Sequence, residues 1–166
     1  MKRLFFIWFA VAFAGSMPAE VAAPRDVEKN VAAIVAGPQV TVVHLWAPWC
    51  SNCLHEMRPD GWAKFVDANP AVKVVFVAIW HKGQACGPKL AAAGLGKATQ
   101  TNFVALTHPN PSTMRGEQLS RFLGLPVGWV PTTWVFRAGK LRYAINYGEV
   151  RFGMLQQMVE DTGAAW

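Results

Sequence analysis

The tightest constraint on this chain's fold is a buried strand that runs straight into a pair of cysteines. Val40 to Ala47 is β-branched and apolar (Val40, Thr41, Val42, Val43, Leu45, Trp46), which marks a strand covered on both sides. Pro48 and Trp49 follow, then Cys50-Ser51-Asn52-Cys53, and Ser51 to Asp67 reads as a helix. Leu54, Met57, Gly61 and Phe65 fall within a narrow arc at about 100° per residue, so that helix has a core face. Pro59 and Gly61 predict a bend in it. Two thiols are thereby placed within one helical turn of each other at a strand-to-helix junction.

The junction has chemical consequences. A helix start presents unpaired backbone N–H groups and a partial positive charge, both of which favour a thiolate at Cys50. A free cysteine has a pKa near ~8.5, so only a few per cent is ionised at neutral pH. Bringing it to about 7 requires about 2 kcal/mol. A helix end supplies about 0.3–1 kcal/mol, and about 2 at best. Hydrogen bonds to the sulfur from nearby N–H groups and from the Cys53 thiol are expected to supply the rest. Cys50 is therefore expected to be the exposed attacking thiolate. Cys53, inside the first turn, is expected to be the shielded thiol that resolves a mixed disulfide. The competing readings of a Cys-x-x-Cys pair are half of a structural zinc site and an inert disulfide. Zinc needs two further ligands at suitable spacing, and Cys86 and the four scattered histidines offer no second pair. No resident metal and no bound cofactor are expected.

The rest of the chain alternates. Arg25 to Ala36 reads as a short helix stopped by Gly37-Pro38. Val72 to Trp80 is a second buried strand, Pro88 to Ala98 a helix weakened by Gly94 and Gly96, and Asn102 to Leu106 a short strand. Met114 to Leu123 is a helix candidate ended by Gly124. Thr132 to Phe136 and Lys140 to Tyr147 form a hairpin around Ala138-Gly139, and Arg151 to Asp161 is a closing amphipathic helix. Alternation first implies parallel strands with crossover helices, and a hairpin last adds antiparallel strands. The expected fold class is α/β: a mixed central sheet flanked by helices on both faces.

The first 23 residues read differently. Lys2 and Arg3 precede the apolar run Leu4 to Ala14, and small residues follow to Ala23, which is the order of a secretory signal. The run is about half of the roughly twenty residues a membrane span needs, although an uncleaved anchor recruiting residues up to Met17 and a buried helix are the other readings. The expected division is 1–23 as signal peptide or anchor and 24–166 as one folded domain. Hydrophobic residues at 52% and charged residues at 16% suit a real core rather than a disordered chain. The net charge of +6 comes from scattered Lys and Arg, with no basic run beyond Lys2-Arg3, so nucleic acid is not an expected partner. Export implies an oxidising compartment, where cysteines tend to pair; the odd third one, Cys86, is left over.

Three segments together resemble the thioredoxin superfamily, and more narrowly its exported TlpA/ResA/DsbE-like branch of periplasmic reductases associated with cytochrome c maturation. Trp46-Ala47-Pro48-Trp49-Cys50-Ser51-Asn52-Cys53 resembles the branch's W-A-x-W-C-x-x-C. Glu56-Met57 resembles its C-x-x-E-[MF]. Val127-Gly128-Trp129-Val130-Pro131-Thr132-Thr133-Trp134 resembles V-x-G-V-P-T-T-F with the glycine displaced. The resemblance spans roughly Gln39 to Asp161. It implies a thioredoxin-like fold and a cis peptide at Val130–Pro131 beside the dithiol. The departures are Arg58 inserted before Pro59, Ser51-Asn52 where proline is common, and His44 where relatives carry aspartate or asparagine.

On this reading the site residues are Cys50, Cys53 and Glu56 for the chemistry, with Trp49, Val130 and Pro131 for binding substrate. Glu56 resembles the branch's active-site acid and is a candidate to take the Cys53 proton; its bland alternative is a solvated helix carboxylate. His44, in a buried strand, is a candidate proton relay or else a hydrogen-bonded core histidine. His55 projects away from both cysteines and is discounted. The expected activity is periplasmic thiol–disulfide exchange, reducing protein disulfides, with a membrane-bound thiol donor implied by the resemblance. Membrane contact is expected only if the N-terminus stays as an inner-membrane anchor. An oxidase or isomerase, a copper-delivery module using the same cysteines, and a docking chaperone are the alternatives.

Overall fold

The computed structural model describes residues 24–164, and the expected signal or anchor segment lies outside the described residues. The two most apolar runs form the middle of the sheet. Strands β1 (Val40–Trp46) and β2 (Lys73–Ala78) are parallel, and from Thr41 and Val74 onward every residue in them is buried. Strand β3 (Phe103–Thr107) extends the parallel side beside β2. Two short strands, β4 (Arg121–Phe122) and β5 (Leu125–Pro126), form a separate hairpin. Strands β6 (Thr132–Arg137) and β7 (Lys140–Ile145) complete the main sheet, antiparallel on the other side of β1, in the order β3-β2-β1-β6-β7. Continuous apolar runs belong to strands covered on both faces, whereas the edge strand β7 is exposed from Lys140 to Arg142 and only half-buried at Tyr143 and Ile145.

The helices are α1 (Pro24–Val35), α2 (Ser51–Glu56), α3 (Trp62–Ala68), α4 (Gly87–Ala92) and α5 (Phe152–Gly163). In α1, Val27, Val31 and Val35 recur every fourth residue and are all buried. The Trp62 ring of α3 packs edge-on against Phe152 of α5 and Phe76 of β2, at 5.3 and 5.0 Å between centroids. It also lies 4.5 Å from the His44 ring, so α3 and α5 share the sheet face that His44 presents. This is the α/β architecture that the order of elements implied. The Ala138-Gly139 turn has positive φ at both residues (48° and 76°), as a two-residue hairpin requires. No described helix is long and apolar enough to cross a membrane.

Three expected helices come out differently. The segment Ser51–Asp67 breaks rather than bends. Pro59 cannot donate to the helix ladder and restricts Arg58 before it, so α2 ends at Glu56 and α3 starts at Trp62. Gly61 makes the break possible, because a Cβ there would sit 1.9 Å from the Glu56 carbonyl oxygen. Helix α4 covers only Gly87–Ala92, since Gly94 and Gly96 take positive φ and end it. Met114–Leu123 is not a helix. It holds a 3-10 turn at Arg115–Glu117 followed by β4, and Leu123-Gly124 turns the chain into β5. Tertiary contacts override local propensity here: Phe122 is fully buried, and the Leu123 N–H donates to the Glu28 carboxylate of α1 at 2.6 Å.

Candidate active site

Strand β1 delivers Pro48, Trp49 and Cys50 to its C-terminal end, and α2 begins at once. Cys50 is the N-cap, with extended backbone (φ −78°, ψ 115°), and its own sulfur accepts the Cys53 N–H at 3.3 Å. A thiolate thus takes the capping position that serine or aspartate usually fills. The Cys53 thiol donates to it as well and is the main reason that the Cys50 pKa is brought down to about 7. The N–H groups of Cys53 and Asn52 add to this, while partial burial and the Glu149 charge oppose it. Cys53 is the reverse case. It is wholly buried, and burial together with the facing Cys50 sulfur pushes its thiol far up.

One expectation needs correcting. Cys50 was expected to be exposed, but it is only 7% exposed. It sits at the floor of a cleft of about 370 Å³ whose walls include Trp49, Trp80, Trp129 and Val130. The Val130–Pro131 bond is cis, and the Val130 carbonyl lies 3.5 Å from Cys50 Sγ. Trp49 and Trp129 are both partly exposed at the mouth, and Trp129 stacks on the exposed Tyr147 at 5.3 Å. The Trp49 indole N–H is tied to the Trp80 carbonyl at 2.5 Å. Trp46 and Trp134 are core, as their positions in central strands implied.

Glu56 is not a solvated helix carboxylate. It is 3% exposed, held by a donor at each oxygen: the Val150 N–H to Oε1 at 2.5 Å and the Trp62 indole N–H to Oε2 at 3.0 Å. Burial raises its pKa to about 7 against the opposing effect of those two donors. His44 Nε2 lies 3.4 Å from Glu56 Oε2, and His44 Nδ1 pairs with the Thr133 hydroxyl at 2.9 Å. Burial holds the His44 imidazolium down, to about 3, so the ring is neutral. The structure thus links His44, Glu56, Trp62 and Thr133 in one buried cluster and gathers Trp49, Trp129 and Val130 around Cys50 in the cleft.

Sequence reasoning missed several neighbours. His55, discounted for the chemistry, does face away, but it pairs with Glu149 at 2.6 Å on the surface beside the site. Glu149 and Val150 come from the loop after β7, more than ninety residues beyond α2, and no local pattern marks them. Trp62 was readable as a core aromatic, but its N–H on Glu56 depends on the break at Pro59. Cys86 is buried near the start of α4, with its thiol raised by burial. Among the described residues, no three His, Cys, Asp or Glu side chains come together to hold a metal ion, so the copper reading lacks a third ligand.

Comparison with known structures bears on the architecture. The chain is similar to a secreted disulfide oxidoreductase of Mycobacterium tuberculosis homologous to E. coli DsbE, at 19% identity and a TM-score of 0.55, covering 77% of this chain and 85% of that one. It is similar to StoA of Bacillus subtilis at 20% identity and 0.51, covering 73% and 82%. It is also similar to a thiol:disulfide interchange protein of the thioredoxin family from Chlorobium tepidum, at 15% identity and 0.51, covering 79% and 83%. No family model and no curated protein matches the chain. At these identities the likeness establishes a thioredoxin-like fold, and the Cys50–Cys53 pair has the C-x-x-C spacing.

Proposed function

We propose that this chain is an exported thiol–disulfide oxidoreductase that reduces protein disulfides, with Cys50 attacking and Cys53 resolving. The asymmetry of the two sulfurs carries the reading. One is capped, hydrogen-bonded and half ionised near neutrality at the floor of a cleft; the other is sealed in the core with its proton held. The Cys50 thiolate attacks one sulfur of a substrate disulfide, that S–S bond breaks, and the other substrate sulfur leaves as a thiolate that takes a proton. Cys53 then loses its proton and attacks Cys50 Sγ. The Cys50–substrate bond breaks, the second substrate thiol leaves, and a Cys50–Cys53 disulfide remains. Two electrons have passed to the substrate, and a dithiol donor must return them; a membrane-bound one is our reading from the resemblance.

We read Glu56 as the acceptor of the Cys53 proton: its charge acts on Cys53, and a pKa near 7 lets it be ionised half the time and protonated the other half. His44 adjoins it as the partner along which that proton is shared. Val130 and Pro131, with Trp49, form the wall against which a peptide would lie. A Cys50 pKa of about 7 favours the reductive direction, since a thiol held near ~3.5 stabilises the dithiol form and makes an oxidant. The periplasm is the proposed location, and the disulfides of proteins destined to carry haem are the substrate class suggested by the branch it resembles.

The test is Cys53→Ala in the native host. Partners should accumulate as mixed disulfides on Cys50, released by reductant. No trapped partner, with turnover intact, would refute the attack-and-resolve scheme.

A further inference from the structure

Two cations border the Cys50 cleft, one lining it and the other over the ring of a wall residue. Lys82 holds its ammonium 4.6 Å from the centroid of the Trp49 ring. Arg115 lines the same cleft, together with Gln118 and Trp129. Neither Lys82 nor Arg115 forms an ion pair among the described residues. The nearest carboxylate in sequence, Glu117, is turned back onto its own loop, accepting from the Thr113 hydroxyl and the Met114 N–H.

The loop that carries Lys82 is held in place at some cost. Trp80 and Lys82 both have positive φ (51° and 53°), a region that side chains other than glycine and asparagine rarely adopt. Three contacts impose that conformation. The Trp49 indole N–H donates to the Trp80 carbonyl, the Trp80 indole N–H to the Leu119 carbonyl, and the Lys82 N–H to the Pro111 carbonyl. Strained backbone persists only where its surroundings over-determine it, and such places cluster at functional sites. Here the result is an ammonium held over the ring of Trp49, a wall residue of the Cys50 cleft. Glu149, whose charge opposes the Cys50 thiolate, is instead paired with His55. The cations bordering the cleft, Lys82 and Arg115, are thus left without a carboxylate partner among the described residues.

We infer that this cleft selects extended peptide segments bearing a carboxylate beside the disulfide-bonded cysteine, with Lys82 and Arg115 as the recognising pair. This rests on the proposed function and leaves its exchange chemistry unaltered. A peptide is the fitting partner because the aromatic surface runs past the cleft, from Trp49 through Trp129 to Tyr147, farther than a small disulfide extends. An Asp or Glu flanking the cysteine would be drawn to Lys82 and Arg115.

The experiment uses the reduced full chain and three matched disulfide-bonded peptides. These differ only in the residue beside cysteine (Glu, Gln or Lys), and glutathione disulfide is a fourth substrate. At low ionic strength the Glu peptide should exceed the Gln peptide in kcat/KM by about 5- to 10-fold, and the Lys peptide should fall below both. Each exposed charge pair should contribute about 1.5- to 5-fold. Lys82→Asn, which suits the left-handed backbone, and Arg115→Gln should each lower the Glu:Gln ratio by that factor, and the double variant should bring it close to one. Lys64→Gln, on the exposed side of α3, should leave the ratio unchanged, and added salt should compress it. Equal rates on all three peptides would overturn the inference and leave the proposed function standing. No reduction of any peptide would remove both. Glutathione disulfide turned over faster than the Glu peptide, with the same dependence on Lys82 and Arg115, would overturn the assignment to peptides.

Discussion

Glu56 and His44 meet 3.4 Å apart, carboxylate oxygen to ring nitrogen, with both side chains closed off from solvent. His44 Nε2 has no hydrogen-bond partner otherwise, and the carboxylate oxygens already face donors from Trp62 and Val150. A proton on Glu56 directed at His44 satisfies both groups. The pair is thus a buried site for one proton, and the Glu56 charge acts on the Cys53 thiol, which must release one.

At the Glu56 site, stability should fall by about 3 kcal/mol as pH rises from about 4.5 to about 7. The folded state holds the Glu56 proton up to about 7, while the unfolded chain releases it at the ordinary carboxyl value of 4.5. In that window the native state binds the extra proton at this site, so raising pH favours unfolding. His44 works the other way: its ring is neutral in the fold down to about 3 but charges near 6.5 in the unfolded chain, so stability rises with pH between those values. The two slopes oppose each other, and the wild type should change little between about 4.5 and 6.5. Glu56→Gln should remove the first slope and expose the second, so the variant should gain stability with pH across that range, whatever constant offset it introduces. Urea denaturation of the reduced protein at several pH values checks this.

Cys50 should titrate near pH 7 and Cys53 should not react at all below the alkaline range. Iodoacetamide modification and thiolate absorbance should rise with pH through a midpoint near 7, set by the Cys53 thiol hydrogen bond. In Cys53→Ala that hydrogen bond is gone, so the midpoint should move up toward the free-thiol value near ~8.5. A wild-type midpoint already at the free-thiol value would contradict the geometry.

Glu56→Gln should slow resolution more than attack. Loss of a positioned proton acceptor costs about 10²-fold or more. In single-turnover acid-quench experiments the mixed disulfide on Cys50 should build up in the variant and not in the wild type. His44→Asn should shift the pH midpoint of the resolution step with a smaller loss of rate. Equal slowing of both steps would place Glu56 outside the proton transfer.

Gly61→Ala should be strongly destabilising despite its small size. The added Cβ would lie 1.9 Å from the Glu56 carbonyl oxygen and 3.1 Å from that of Arg58, both backbone atoms that cannot swing aside. Overpacking of this kind costs about 1–3 kcal/mol or more. Because the α2–α3 break must open to accommodate it, the Trp62 N–H should also draw away from Glu56. Denaturant midpoints and the pH dependence described above report the two effects separately.

Much of the sheet was legible because its signals are local. The unbroken apolar runs Val40–Ala47 and Val72–Trp80 identified central strands within a residue or two of β1 and β2. The Ala138-Gly139 turn announced the hairpin. Met114–Leu123, the helix candidate ended by Gly124, took another shape because Phe122 in the core and the Glu28–Leu123 contact decide it from outside the segment. The bend expected at Pro59 and Gly61 became a full break, since Pro59 removes a donor and Gly61 allows a backbone approach that no other residue permits.

The chain's own order of residues determined that two thiols would stand at the start of a helix, the first capping it and the second within its first turn. That outcome needs only neighbouring residues and the geometry of a helix. Tertiary structure alone decided that Cys50 lies at a cleft floor and that Glu56 is buried against His44, Trp62 and Val150. Those groups come from a strand, two helix ends and a loop far apart along the chain. An ionisation constant depends on how much water and which charges surround a group, and that surrounding exists only once distant segments have packed.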